Sequence, residues 1–154
     1  MKSRICAFSY LSAAFFVFGI ISSCTVLEPA TEQRCGSAEP LAAKLGTPVE
    51  LALMRQSACF SDANLWVRVD SIPQDSRCPI DAVCVWAGDA VTWITVGNTA
   101  NATKQSFALH TGIAPKEALF QEFQIQLVDV APLPRSGGRI AMGDYKVRLV
   151  VSKR

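Results

Sequence analysis

The sequence predicts an all-β protein, an antiparallel β-sandwich or open barrel of about six to eight short strands stapled by disulfides. Three observations predict it. From Val49 onward apolar residues recur at every second position, the period of a half-buried strand. Runs rich in Gly, Asn and Pro separate these stretches at short intervals. An even set of four cysteines, three in this region and Cys35 just ahead of it, is available for disulfides.

The chain opens with Lys2 and Arg4 and then an apolar run over 7–21, interrupted by Ser9, Tyr10 and Ser12. The run falls short of the roughly 20 residues a membrane-spanning helix needs, and reads as an export signal over 1–23. Lys2 and Arg4 are its only charged residues. The mature chain is left with 13 basic and 13 acidic side chains, hence no net charge. That balance removes the basic patch a nucleic-acid partner requires. At 154 residues the chain accommodates one domain.

Ile21-Ser22-Ser23-Cys24 resembles the bacterial lipoprotein cleavage box, an aliphatic residue and two small ones before a cysteine. The resemblance implies cleavage before Cys24 and lipid attachment to it. Ile21 stands where Leu is more usual, and signal cleavage nearby without lipidation is the plainer alternative. Acyl chains contribute about 0.8 kcal/mol per buried methylene, so two or more give a stable anchor. Thr25 after the lipid cysteine, rather than Asp, resembles outer-membrane sorting in two-membrane bacteria.

Residues 24–44, with Glu28, Pro29, Gly36 and Pro40 and little periodicity, read as a lipid-anchored tether, leaving 45–154 as the domain. Val49, Leu51 and Leu53 alternate with Glu50 and Ala52; Leu65, Val67 and Val69 alternate with Trp66, Arg68 and Asp70. Residues 90–96 are apolar on both faces, as suits the middle of a sandwich. Residues 97–101 form a turn and 106–110 a short strand. Phe123, Ile125 and Leu127 make a further strand, 132–138 a Pro- and Gly-rich loop, and Tyr145, Val147, Leu149 and Val151 the last strand. Only 115–120 hints at a helical turn.

Cys6 leaves with the signal and Cys24 takes the lipid, which leaves Cys35, Cys59, Cys78 and Cys84. In an exported chain these oxidise. Pairing Cys78 with Cys84 closes a tight ring around Pro79, and elimination pairs Cys35 with Cys59, pinning the tether. A four-cysteine zinc site is the competing reading, but the close C-x2–4-C pair it needs is missing. C-x5-C also differs from the C-x-x-C arrangement of redox-active thiols.

The densest signature is Asp75-Ser76-Arg77-Cys78-Pro79 followed by Cys84-Val85-Trp86-Ala87-Gly88. It resembles a group of small bacterial secreted proteins and lipoproteins that carry D-S-R-C-P, a second cysteine five or six residues on, and then x-W-x-G opening a strand. Asp144-Tyr145-Lys146-Val147-Arg148-Leu149 is similar to the last strand of that group. The resemblance implies the fold and the location and brings no catalytic residue. In the motif itself Pro79 stiffens the ring, Asp75 or Ser76 accepts a turn hydrogen bond, and Arg77 is within reach of Asp75 or Asp81. Trp86 is expected over the disulfide, and Gly88 at a bulge or close approach. A folding staple is the plain reading; an exposed Arg77 and Trp86 surface that grips a partner is the functional one.

Little in the chain suggests chemistry. The single histidine, His110, shows no nucleophile or carboxylate partner in sequence and reads as an ordinary surface residue. G-x-S-x-G, H-E-x-x-H and phosphate-cradling glycine loops are missing. Asp70, Asp75, Asp81 and Asp89 surround the motif without the spacing of a calcium loop. Asn101-Ala102-Thr103 fits a glycosylation acceptor, a chance match under a bacterial address. The expectation is a non-catalytic cell-envelope lipoprotein without cofactor or metal, held in the outer membrane facing the periplasm. It would serve as an interaction or structural module for an envelope protein or glycan. The alternative is an inhibitor of an exported protease or muramidase, presenting loop 71–79 or 132–138.

Overall fold

In the computed structural model, which describes Cys35 and residues 39–154, nine strands form two sheets facing each other across one core. They are β1 (Glu39–Ala42), β2 (Pro48–Ala52), β3 (Gln56–Phe60), β4 (Leu65–Asp75), β5 (Ala90–Asn98), β6 (Lys104–His110), β7 (Glu117–Phe120), β8 (Phe123–Ala131) and β9 (Lys146–Lys153). One sheet has the order β1-β3-β4-β5-β6, the other β2-β9-β8-β7. All neighbours are antiparallel except β1 and β3, which pair parallel from Glu39 opposite Gln56 to Ala42 opposite Cys59.

The two-residue alternation produces the core. Leu51 from β2, Val67 and Val69 from β4, Ile94 and Val96 from β5, Ile125 from β8 and Val147, Leu149 and Val151 from β9 are fully buried between the sheets. On β4 and β8 the alternation slips. A bulge lies between Val69 and Ser71 and another irregularity between Ser71 and Gln74; Ile72 takes the next inward place. On β8 a shift between Leu127 and Asp129 turns Val130 inward. An extra residue re-phases a strand without ending it, and here it carries β4 and β8 on toward one end of the sandwich.

Several expectations are corrected. Residues 115–120 contain a strand, β7, rather than a helical turn: Ala118 and Phe120 point into the core at two-residue spacing. The domain begins before residue 45, because residues 39–42 of the expected tether form an edge strand. Nine strands exceed the expected six to eight. The pairs Cys35–Cys59 and Cys78–Cys84 are both disulfide-bonded. Cys24 and residues 1–23 lie outside the described residues.

Candidate functional site

The bulged ends of β4 and β8 meet at the start of β9 and build a buried polar node. Arg77 forks onto Asp75, Nε to Oδ1 at 2.8 Å and Nη2 to Oδ2 at 2.7 Å, and its main-chain N–H also reaches Oδ1 at 3.2 Å. The same guanidinium donates to the carbonyls of Val130 and, at 2.8 Å, Pro132. The Tyr145 hydroxyl donates to Asp75 Oδ2 at 3.1 Å. Burial works against the Asp75 charge, but the Arg77 bonds and charge together with Tyr145 outweigh it and hold the carboxyl below its ordinary value. Burial, then the neighbouring Asp75 charge and hydrogen bond, push Tyr145 up. Since β4 belongs to one sheet and β8 and β9 to the other, Arg77 ties the sheets together.

On this node sits the Cys78–Cys84 ring. Ser76 and Asp89 exchange bonds at the neck: Ser76 N–H and Oγ donate to the Asp89 carbonyl at 2.7 and 3.0 Å, and the Asp89 N–H donates to Ser76 Oγ at 3.3 Å. Cys78 N–H bonds the Ala87 carbonyl at 2.9 Å. Gly88 has a φ of +73°, and a Cβ there would lie 2.0 Å from the Ser76 carbonyl oxygen. Only glycine fits this approach. Ring and loop 132–138 are joined by Ile80 N–H to the Pro134 carbonyl at 3.0 Å and Ser136 N–H to Asp81 Oδ1 at 2.8 Å. That last bond leads the influences that keep the exposed Asp81 carboxyl below its ordinary value.

Trp86 is not buried against the disulfide. Its side chain is 63% exposed, and Val83 and Val85 are as exposed as in an open chain, at 104% and 107%. Ile80 is exposed beside them. Arg77 and Trp86 therefore separate: the arginine is a buried clamp and the tryptophan a surface group. Among the described residues, the main chain from Val83 to Trp86 makes no hydrogen bond. The result is an exposed apolar tip on a braced neck.

His110 is not an ordinary surface residue. Its Nδ1 lies 2.6 Å from Asp89 Oδ2, and Asp89 Oδ1 accepts the Gly112 N–H at 2.8 Å and the Thr111 hydroxyl at 3.3 Å. Burial opposes the Asp89 charge, but the Gly112 N–H, the His110 bond and charge and Thr111 prevail, lowering its pKa. The partner was hidden because 21 residues separate the two, and only the β5–β6 register joins them. The Thr111 hydroxyl also accepts the Ala90 N–H at 2.8 Å, so it braces the turn.

The four aspartates are dispersed: Asp70 binds Arg68 and Thr95, Asp75 binds Arg77, Asp81 caps Ser136 and Asp89 holds His110. Among the described residues no three His, Cys, Asp or Glu side chains converge as metal ligands do. Fold and disulfides define an extracytoplasmic, disulfide-stapled β-sandwich. Among the described residues no helix is long and apolar enough to cross a membrane. Comparison with protein-family models, with characterised proteins and with solved structures finds no match.

Proposed function

We propose that the chain is a non-catalytic lipoprotein of the bacterial cell envelope, anchored through Cys24 in the outer membrane and facing the periplasm. Its sandwich holds out the Cys78–Cys84 ring to an envelope protein. The observation that carries this reading is the tip itself, where Val83, Val85 and Trp86 stand in solvent on a neck fixed by Arg77. Apolar groups held this far from the core do nothing for folding, whereas Trp is a favoured interface anchor. The disulfide and the braced neck also restrict the loop before binding, which lowers the entropy lost when a partner orders it.

A photo-crosslinking residue at Val85 should yield a covalent protein adduct in intact cells, and one at Val128, exposed on the other sheet, should not. Equal adducts at both positions, or none at Val85, would discard the reading. The anchor is tested separately: Cys24→Ala should free the protein from membranes or stall its processing.

Inhibition of an exported protease or muramidase is the second reading, favoured by the main chain of residues 83–86, unpaired among the described residues, at the end of the Cys78–Cys84 loop. Extended substrates bind through such free N–H and C=O groups. Excess protein should then slow one of a panel of these hydrolases; full activity throughout excludes those classes.

A further inference from the structure

The outward face of the five-stranded sheet carries a second surface, distinct from the ring. Registers of Trp66 opposite Gly97, Arg68 opposite Thr95 and Thr95 opposite Ser106 put these side chains on one face, with Trp93 on the same side of β5. A Cβ on Gly97 would meet three atoms of the Trp66 indole at 2.4–2.6 Å. The ring therefore lies flat on the glycine, with its other π-face turned away from the sheet. Trp93, 42% exposed, is four residues earlier on β5, about 13 Å along the strand.

Between the two indoles is a ready-made polar network. Arg68 Nε donates to Asp70 Oδ1 at 2.7 Å, the Thr95 hydroxyl donates to Asp70 Oδ2, and Thr95 and Ser106 hydroxyls lie 2.8 Å apart. A depression of about 440 Å³ opens over it, lined by Trp66, Arg68, Thr95, Lys104, Gln105 and Ser106.

We infer that this face binds a glycan chain, with Trp66 and Trp93 stacked on the C–H faces of two sugar rings and the Arg68–Asp70–Thr95–Ser106 network meeting hydroxyls between them. The arrangement selects among ligands. A protein interface concentrates apolar residues at its centre and polar ones at its rim; here the polar groups are central and the aromatic plates terminal. A lipid surface calls for a continuous apolar patch. Nucleic acid calls for several uncompensated positive charges along the strand it holds, whereas here Asp70 offsets Arg68 and leaves Lys104 as the one remaining cation among the described residues of the depression. Sugars present flat apolar faces and hydroxyl edges that both donate and accept, and this surface offers the counterpart of each.

The test uses the full-length protein in detergent, with chitotetraose and cellotetraose followed by calorimetry and with purified peptidoglycan sacculi followed by co-sedimentation. Saturable binding to at least one of the three is expected. Trp66→Ala and Trp93→Ala should each weaken it about tenfold or more, and Trp86→Ala, on the ring, should leave it unchanged. Should Trp66→Ala unfold the sheet, Trp93→Ala and Ser106→Ala decide the matter, being on or beside solvent. No saturable binding at millimolar sugar overturns the proposal. So does binding that survives Trp93→Ala in a folded variant, or that is lost in Trp86→Ala. Loss of the ring's protein partner alone leaves this surface untouched.

Discussion

Replacing Arg77 by methionine tests whether the clamp, rather than core packing alone, holds the ring end together. Methionine keeps most of the apolar stem and deletes the charge. The change removes both side-chain bonds to Asp75 and leaves the Val130 and Pro132 carbonyls without this donor. Asp75, a tenth or less exposed in its side chain, would then face the interior as a carboxylate supported only by Tyr145 and a main-chain N–H. Removing one partner of a buried pair costs about 3–5 kcal/mol. At about 4 °C per kcal/mol for a domain of this size, the melting temperature should fall by roughly 12–20 °C. Tyr145→Phe deletes one hydrogen bond while Asp75 stays paired, and should cost only about 1 kcal/mol. The double variant Asp75→Leu/Arg77→Met removes both charges and should recover most of the loss, because no orphan ion remains. Urea unfolding under oxidising conditions, with unchanged slope as the check on two-state behaviour, measures all three. A cost for Arg77→Met near that of Tyr145→Phe would refute the argument, as would a double variant no better than the single.

Other consequences follow from individual contacts. Thr92 is fully buried and its hydroxyl has no partner among the described residues, so Thr92→Val should stabilise by about 1 kcal/mol, read as a higher urea midpoint. Gly88→Ala puts a methyl against the Ser76 carbonyl at a positive φ; a loss of more than about 2 kcal/mol in the same titration is expected. Opening the Cys35–Cys59 loop releases a longer segment than opening the Cys78–Cys84 ring. Chain entropy predicts losses of about 3.5 and about 2.4 kcal/mol, and calorimetry of Cys59→Ser and Cys84→Ser should preserve that order. The carboxyls of Asp75 and Asp89 are depressed in the folded state. Their stabilisation is therefore complete above the unfolded value near pH 4 and lost as pH falls through the folded values. Asp75→Asn should flatten the fall in urea midpoint below about pH 4; an unchanged acid limb would contradict the assignment.

The alternating stretches were legible because β2, the first half of β4, β8 up to Leu127 and β9 each bury one face, whereas β5 was legible as a run apolar on both faces. Legibility failed at Val69 and Leu127, where the two-residue period breaks. There a bulge and a turn look alike in sequence, since both interrupt the alternation, yet a bulge continues the strand. Glu39–Ala42 was missed for a different reason: as an exposed edge strand it buries neither face and shows no period. The His110–Asp89 pair depends on cross-strand register, which single-strand patterns do not contain. Arg77 was recognised as able to reach Asp75, but its carbonyl partners lie 53 and 55 residues away. No local motif indicates them.

The length of β4 also explains why the tip and the N-terminal staple lie apart. Cys59 is opposite Trp66 at the start of β4, and the ring leaves from Asp75 at its end. The intervening nine steps amount to about 30 Å of strand. Cys24 to Cys35 can extend at most about 40 Å further. An acyl anchor at Cys24 would thus reach the sandwich at the Cys35–Cys59 end and leave the ring at the far one. The Trp66–Trp93 face, running along β4 and β5 between these ends, lies alongside that axis rather than across it. A glycan on the sheet and a protein on the ring would not compete for space. Simultaneous binding is the expected result: sacculi-bound protein should still form the Val85 crosslink. Mutual exclusion would mean that the two surfaces are closer, or more strongly coupled, than the strand geometry allows.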